Sequence, residues 1–176
     1  MHGDTNQTLS LSCEVEIEAE ANFAAGRLLF LGDRFREELF SGVVSLPRVK
    51  ELAGEYGNTI TSTLSRAVEA SEFPAFAMVS QHPFYVSADK PVIRYFVVSR
   101  SFEKRFSLIT SASLFHRISQ YCSLRKRGPL ADDLIAVSDD NGNLHEYRIE
   151  CFSNSYDVLT LGTWKVAMKH LVSVPR

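Results

Sequence analysis

Apolar residues recur at helical spacing through the first part of the chain. Between Glu14 and Leu31 they fall at i, i+4, i+7, i+11 and i+14, which is the stripe of an amphipathic helix. Gly32 follows the stripe and ends the predicted helix. The same spacing, together with suitable capping residues, predicts three more helices: Arg34–Phe40, Pro47–Tyr56, and a helix from Thr59 or Thr61 to about Ala70.

After Pro74 the pattern changes to short runs rich in β-branched and aromatic residues. These runs predict five strands: Ala75–Val79, Val92–Val98, Leu134–Val137, Leu144–Ile149 and Tyr156–Leu161. Asn141-Gly142 lies between the third and fourth runs and is typical of a tight hairpin turn, because both residues tolerate a positive φ. Ser111–Cys122 has helical spacing instead. The segment from Trp164 to Val174 fits a strand or a helix, and both alternatives stay open.

Together these elements predict an α+β fold with two parts. Residues 1–73 are expected to form a helical part that contains a helix-turn-helix-like pair. Residues 74–176 are expected to form a small, mainly antiparallel β-rich module with one helix. A chain of 176 residues can bury a real core in one domain or in two small ones.

Composition and charge narrow the class of protein. Hydrophobic residues make up 45% and charged residues 23% of the chain, as in a soluble globular protein, and the net charge of −2 predicts no general affinity for nucleic acid or anionic lipid. Cys13, Cys122 and Cys151 form no Cys-x-x-Cys pair and are expected to be reduced thiols. No apolar run approaches the roughly 20 residues that span a bilayer, and the start has no signal-peptide pattern. We therefore expect a cytoplasmic protein without a membrane partner.

The most specific motif lies between Glu18 and Phe30. It reads Glu18, then Ala21-Asn22, a run of small residues, and finally Leu28-Leu29. This stretch resembles the second active-site helix of the ImmA/IrrE family of zinc metallo-endopeptidases, which reads Glu-x-x-Ala-Asn/Asp, small residues, Leu-Leu and an apolar residue. Family members carry a His-Glu-x-x-His zinc motif on a helix shortly upstream. The present sequence begins at Met1 and contains no His-Glu-x-x-His.

The resemblance implies a role for Glu18 as the third zinc ligand, with Glu20 as a weaker candidate. Such a site also needs two imidazoles one helical turn apart and an open position for water. The Glu of His-Glu-x-x-His takes the proton of that water. With these groups absent, no zinc hydrolysis is expected from this chain. The residues themselves allow a simpler interpretation, in which Glu14, Glu18 and their acidic neighbours form a solvated first helical turn.

The segment Val49–Val68 resembles a helix-turn-helix, a unit that the family commonly has after its Leu-Leu helix. A DNA-reading helix would present Thr61, Ser62, Ser65 and Arg66 to base edges or phosphates. The basic residues of the segment are offset by acidic ones. A pair of packed helices that never meets DNA is therefore the favoured alternative.

Other candidate groups have less specific patterns. Arg125-Lys126-Arg127 is the strongest basic run, and Arg100, Lys104 and Arg105 lie near two phenylalanines, so both sets are candidates for binding a phosphate or an acidic partner. Solvated loop charges are the commoner explanation. The histidines show no metal-ligand spacing and are expected to be surface or hydrogen-bonded residues: His82, His116, His145 and His170.

Three functions follow from these observations. The first is a truncated or degenerate ImmA/IrrE-type protein that regulates repressors of the helix-turn-helix class, in stress response or mobile-element control. Its helical part resembles the back half of a peptidase core, and the resemblance implies a regulatory or sensory role for residues 74–176. The second is a non-enzymatic helix-turn-helix module that binds a repressor or DNA. The third is a fragment of an active zinc endopeptidase whose true start lies upstream, in which Glu18 binds zinc. The small-residue face around Ala21 and Ala24 further predicts a homodimer.

Overall fold

A computed structural model describes residue 30 and residues 33–86 and 90–165. Within these ranges three helices come first, followed by two strands, two helices and three strands. The elements are α1 (Asp33–Phe40), α2 (Leu46–Glu55), α3 (Ile60–Glu69), β1 (Ala75–Ser80), β2 (Ile93–Val98), α4 (Arg100–Glu103), α5 (Ser111–Ser119), β3 (Gly128–Ser138), β4 (Leu144–Ser153) and β5 (Val158–Trp164). The fold is α+β, as the sequence predicts. In these described ranges no helix has the length and apolar character needed to cross a membrane.

The strands form one antiparallel sheet in the order β2-β1-β5-β4-β3. The last strand of the described residues lies at its centre, where β5 pairs with β1 on one side and β4 on the other. The hairpin predicted at Asn141-Gly142 joins β3 to β4, and Gly142 has a φ of +83° there. β5 ends at Trp164, so the first residue of the segment left open between strand and helix is a strand residue.

Helices cover both faces of the sheet. The α1–α3 core lies on one face, where Leu64 and Val68 of α3 pack with Ala77 of β1 and with Leu159 and Leu161 of β5. The α4–α5 core lies on the other face. It contains Phe76, Met78, Phe102, Phe106, Leu114, Phe115, Ile118, Tyr147 and Ile149 among its buried residues. The alternation of side chains along β1 and β5 explains this division, because successive residues of a strand point to opposite faces.

The helix pair α2–α3 forms where the capping residues predict it. Ser45 caps α2 by accepting a hydrogen bond from Arg48 N–H, and Thr59 caps α3 by accepting one from Ser62 N–H. Gly57 lies in the turn between the helices with a φ of +65°, a conformation that glycine adopts at little cost. The pair is fastened to the sheet by Glu150 of β4, whose carboxylate accepts the Leu46 N–H at 3.2 Å.

Several details of the β part differ from the sequence-based expectation. β4 continues beyond the predicted end at Ile149 to Ser153, and β5 runs over Val158–Trp164 rather than Tyr156–Leu161. The third strand was predicted over Leu134–Val137, but β3 runs from Gly128 to Ser138 because its polar first half pairs with β4 through backbone hydrogen bonds. The short helix α4 was not predicted, since four residues are too few to show a period. The predicted helix between Glu14 and Leu31 and the part of the last segment beyond residue 165 lie outside the described residues.

Candidate functional site

An apolar groove separates the helical part from one end of the sheet. Its volume is about 830 Å³, and it is walled by α1, the linker after α1, the end of α3 and the ends of β1 and β5. The apolar lining residues are Phe40, Val43, Val44, Ala67, Val68, Phe73, Pro74, Ala75, Leu161 and Trp164. Both sequence-predicted parts of the chain therefore contribute to one surface.

Large apolar side chains are left uncovered along this groove. Val43 is 75% exposed and Phe73 is 59% exposed, while Ala67 and Leu161 form a buried floor. Val43 lies in the linker between α1 and α2, and Phe73 lies in the linker between α3 and β1. Neither residue belongs to a helix or strand whose apolar face would bury its side chain. Contiguous exposed apolar residues with a polar rim are typical of protein–protein interaction sites.

The rim of the groove is acidic overall. Asp33, Glu37 and Glu72 line it, and Arg36 is the one basic residue among the lining residues described. Arg36 forms an ion pair with Glu72 across the gap between α1 and the end of α3. The remaining carboxylates, Asp33 and Glu37, are exposed and have no such partner within the described residues. The groove thus offers apolar contact at its centre and negative charge at its edge.

The four residues predicted to read DNA lie on α3, but they do not form a uniform exposed face. Ser62 is exposed, whereas Thr61, Ser65 and Arg66 are half-buried. Arg66 faces Glu69 at 3.7 Å, and its Nε is buried without a hydrogen-bond partner. The stretch from Leu46 to Glu69 holds three basic and three acidic residues, so its net charge is zero. This balance supplies little attraction for a phosphate backbone.

The basic residues around α4 are divided between two places. Arg100 and Lys104 line a second cavity of about 570 Å³ together with Arg36 and Arg66, and the carboxylates of Asp33, Glu69 and Glu72 also line it. Arg105 turns away from this cavity. The mixture of four basic and three acidic residues leaves only a small net positive charge, so this cavity is a weaker candidate than the apolar groove.

Arg105 instead joins a polar cluster around the buried Asp139, which sequence reasoning missed. The Asp139 carboxylate accepts hydrogen bonds from His145 Nε2 at 2.9 Å, from the N–H groups of Asn141 and Asn143, and from Arg105 Nε at 3.4 Å. The bonds from His145, Asn143 and Asn141, led by that of His145, hold the pKa of the Asp139 carboxyl far below its usual range. The Asp-Asp-Asn-Gly-Asn run predicted the hairpin but gave no sign that its first carboxylate binds Arg105.

The other candidate residues are either hydrogen-bonded within the fold or exposed on its surface. His82 is buried, with its Nε2 2.7 Å from Arg125 O, and His116 is exposed on α5. The side chains of Arg125, Lys126 and Arg127 are exposed, as expected for loop charges. Across residues 33–86 and 90–165, no group of three or more His, Cys, Asp or Glu residues could hold a metal ion. Glu18, Glu20 and the small-residue face at Ala21 and Ala24 lie outside the described residues.

Comparison with known proteins does not narrow the class of this protein further. No protein-family model matches the chain, and no curated protein matches it. The likeness to the ImmA/IrrE family therefore rests on the motif residues between Glu18 and Phe30 and on the helix pair.

Proposed function

We propose that this chain is a non-enzymatic regulatory protein of the ImmA/IrrE type that holds a segment of a partner protein in the apolar groove. The observation that carries the proposal is the groove itself, in which uncovered apolar side chains of the helical part meet the end of the sheet. Apolar anchors placed in a pocket contribute most of the binding energy at protein interfaces. Because α1, α3, β1 and β5 all line the groove, a partner bound there contacts both parts of the chain at once.

The occupant that suits this groove is an amphipathic helix with basic residues at its flanks. A helix of this kind would bury its apolar face against Val43 and Phe73 and place its basic residues near Asp33 and Glu37. DNA-binding proteins are rich in basic residues. A repressor of the helix-turn-helix class, which the family resemblance implies as partner, therefore has the required chemistry.

The proposal is tested by placing a charge in the groove. Val43→Arg adds a large cation to a 75% exposed linker position, so the fold should tolerate it. The matched control is Leu108→Arg, at a 77% exposed position on the side of the sheet that carries α4 and α5. We expect Val43→Arg to weaken binding of a purified helix-turn-helix repressor from the same genome by at least about tenfold, measured by calorimetry. Equal dissociation constants for the two variants would contradict the proposal.

A second candidate function is DNA binding by α2 and α3, which is favoured by their two capped helices and the Gly57 turn. Ser62 and Ser113 both occupy the third position of a helix whose N-cap is threonine. Aspartate is well accommodated at this position, so Ser62→Asp and Ser113→Asp should both fold. A salt-dependent complex with a random-sequence duplex of about 30 base pairs that is lost only in Ser62→Asp would favour this function over the groove.

The proposal includes no peptide hydrolysis, because the sequence holds no His-Glu-x-x-His and Glu18 alone is not a zinc site. Purified chain that contains stoichiometric zinc and cleaves a repressor in a metal-dependent manner would overturn this part of the proposal. It would instead support an active endopeptidase.

A further inference from the structure

Three loops meet at the end of the sheet that is opposite to the apolar groove. β1 begins beside the groove, and its other end, Ser80, pairs with the first residue of β5. The loops at that end are residues 82–86 after β1, residues 121–127 between α5 and β3, and the turn 154–157 between β4 and β5. We call their exposed side chains the three-loop surface. None of these residues lines the groove.

Hydrogen bonds to backbone carbonyl groups hold the three loops together. His82 Nε2 lies 2.7 Å from Arg125 O, which joins the first loop to the second. The Ser153 hydroxyl, just before the turn, donates to Lys126 O at 2.9 Å and joins the second loop to the turn. Both His82 and Ser153 are buried. Because the basic run is fixed through its backbone, its side chains take no part in holding the loops.

The basic side chains of the three-loop surface are not neutralised by neighbours. Arg125, Lys126 and Arg127 are exposed, and none of them has an ion-pair partner among the described residues. The three loops contain one carboxylate, that of Asp157, and it already pairs with Arg94 of β2 at 2.7 Å. This end of the molecule is therefore locally positive, although the whole chain has a net charge of −2.

Large aromatic rings lie uncovered beside these charges. Phe84, Tyr85, Tyr121 and Tyr156 are each at least 43% exposed. The rings of Phe84 and Tyr85 are in edge contact, with their centroids 5.4 Å apart. Phe84 also lines a cavity of about 300 Å³ together with Leu124 of the second loop, so its ring lies next to the loop that carries the basic run.

Tyr156 is presented by an ordered turn. Asn154 Oδ1 accepts the N–H groups of Tyr156 at 3.0 Å and of Asp157 at 2.8 Å. Ser155 has a φ of +86°, and its N–H donates to Ser153 Oγ at 3.3 Å. These bonds set the path of the backbone without using the Tyr156 ring. The ring can therefore be replaced without loss of the turn.

Cations beside exposed aromatic rings are the combination that binds single-stranded nucleic acid. The cations bind phosphates, and each ring offers a face on which an unpaired base can stack. An acidic peptide would use the charges but would leave the rings without a role. A lipid surface is met by apolar side chains that insert into it, and Leu124 is the one exposed large aliphatic residue in these loops.

We infer that the three-loop surface binds single-stranded nucleic acid. Residues 125–127 bind the phosphates, and the rings of Phe84, Tyr85 and Tyr156 stack on bases. The surface shares no residue with the groove, so the inference does not depend on the function proposed for the groove.

Fluorescence anisotropy of the full chain with labelled oligonucleotides of about 15 nucleotides tests this surface. Oligo-dT and oligo-U form the two arms, which separate DNA from RNA, and a duplex of the same length is the comparison. We expect a salt-sensitive complex with at least one of the single strands that is tighter than the complex with the duplex.

Two double variants test the contribution of the basic run. The variant with Arg125→Ala and Arg127→Ala should bind the single strand at least about tenfold more weakly, and the slope of log Kd against log salt concentration should fall by about 1.4. The matched control carries Arg100→Ala and Lys104→Ala, two exposed positions near α4. It loses the same net charge and should bind like wild type.

Substitutions of Tyr156 test the stacking. Tyr156→Ala should weaken binding at least about fivefold, whereas Tyr156→Phe should bind like wild type, because stacking needs the ring and not the hydroxyl. Ser62→Asp on α3 should also leave the affinity unchanged, which separates this surface from DNA binding by α2 and α3.

Four results would overturn the inference. The first is the absence of a complex with either single strand, including the case in which anionic vesicles or polyglutamate bind instead. The second is a duplex complex as tight as that of the single strand. The third is an equal loss of affinity in the two double variants, and the fourth is equal affinity of Tyr156→Ala and Tyr156→Phe. The first two are measured on the wild-type chain, so the test does not depend on the folding of a variant.

Discussion

At the scale of single residues, the buried hydroxyl of Tyr147 lowers the stability of the folded protein. Its side chain is fully buried among Phe76, Phe102 and Phe106, and its hydroxyl has no hydrogen-bond partner. Burial raises the pKa of this hydroxyl well above its usual value, which reflects the same loss of hydration. A buried hydroxyl without a partner destabilises the folded state because water would otherwise solvate it.

Tyr147→Phe should therefore stabilise the protein. The substitution keeps the ring and removes only the unpaired hydroxyl, so we expect the free energy of unfolding to rise by about 1 kcal/mol in urea titrations. The control is Tyr156→Phe, since Tyr156 is 84% exposed and its hydroxyl is solvated. A loss of stability in Tyr147→Phe, with no change in the control, would show that the hydroxyl has a partner after all.

In contrast to the Tyr147 hydroxyl, the buried carboxylate of Asp139 accepts several hydrogen bonds, and these stabilise the fold. Since the pKa of Asp139 is lowered on folding, its contribution to stability is present above the unfolded pKa of about 3.9 and is lost as the pH falls towards the folded value. Asp139→Asn should lower the free energy of unfolding at pH 5, and the difference from wild type should shrink on going to about pH 3. Asp133→Asn, at an exposed position of β3, serves as the control. A difference that stays constant over this range would contradict the assignment.

At the scale of elements, β5 depends on a glycine. Gly162 lies opposite Phe76 in the register of β1 and β5, and a Cβ atom at this position would fall 2.1 Å from the Phe76 ring. Phe76 is fully buried in the α4–α5 core, so its ring has little room to move. The close approach of this ring to the β5 backbone explains why a strand at the centre of the sheet contains a glycine.

Two glycine substitutions should have opposite effects on stability. Gly162→Ala is expected to lower the free energy of unfolding by about 1–3 kcal/mol, because the added methyl group overpacks the core. Gly54→Ala should raise it by about 0.5 kcal/mol, because Gly54 lies in α2 with open space around it and alanine favours the helical backbone. Urea titration of both variants measures the two changes in the free energy of unfolding. Changes of the same sign would show that the contact with Phe76 does not determine the effect of a substitution at Gly162.

The sequence predicts the helices and strands better than it predicts the contacts between residues that are far apart in the chain. Periodicity and the Gly57 and Asn141-Gly142 turns gave the helix pair and the β3–β4 hairpin, because both depend on residues that are close in the chain. The Arg105–Asp139 contact joins residues 34 positions apart, so only the tertiary fold brings them together. The exposure of Val43 and Phe73 could not be predicted either, because an apolar residue in a connecting loop cannot be told from a core residue by sequence alone.

At the scale of the whole molecule, the helical part and the sheet behave as one packed body on the side of the groove. The boundary predicted between residues 73 and 74 falls between α3 and β1, and the α1–α3 core extends across it to β5. Lys50 of α2 also lies 4.4 Å from the centre of the Phe152 ring of β4. A partner seated in the groove would therefore be sensed by both parts of the chain.

Hydrogen exchange of the full chain, with and without a purified helix-turn-helix repressor, tests the central claim most directly. We predict slower exchange on binding at residues 40–44 and 71–75, which line the groove, and unchanged exchange at residues 105–108 on the other side of the sheet. Protection confined to the start of α3 around Ser62, or no protection at either place, would contradict the account.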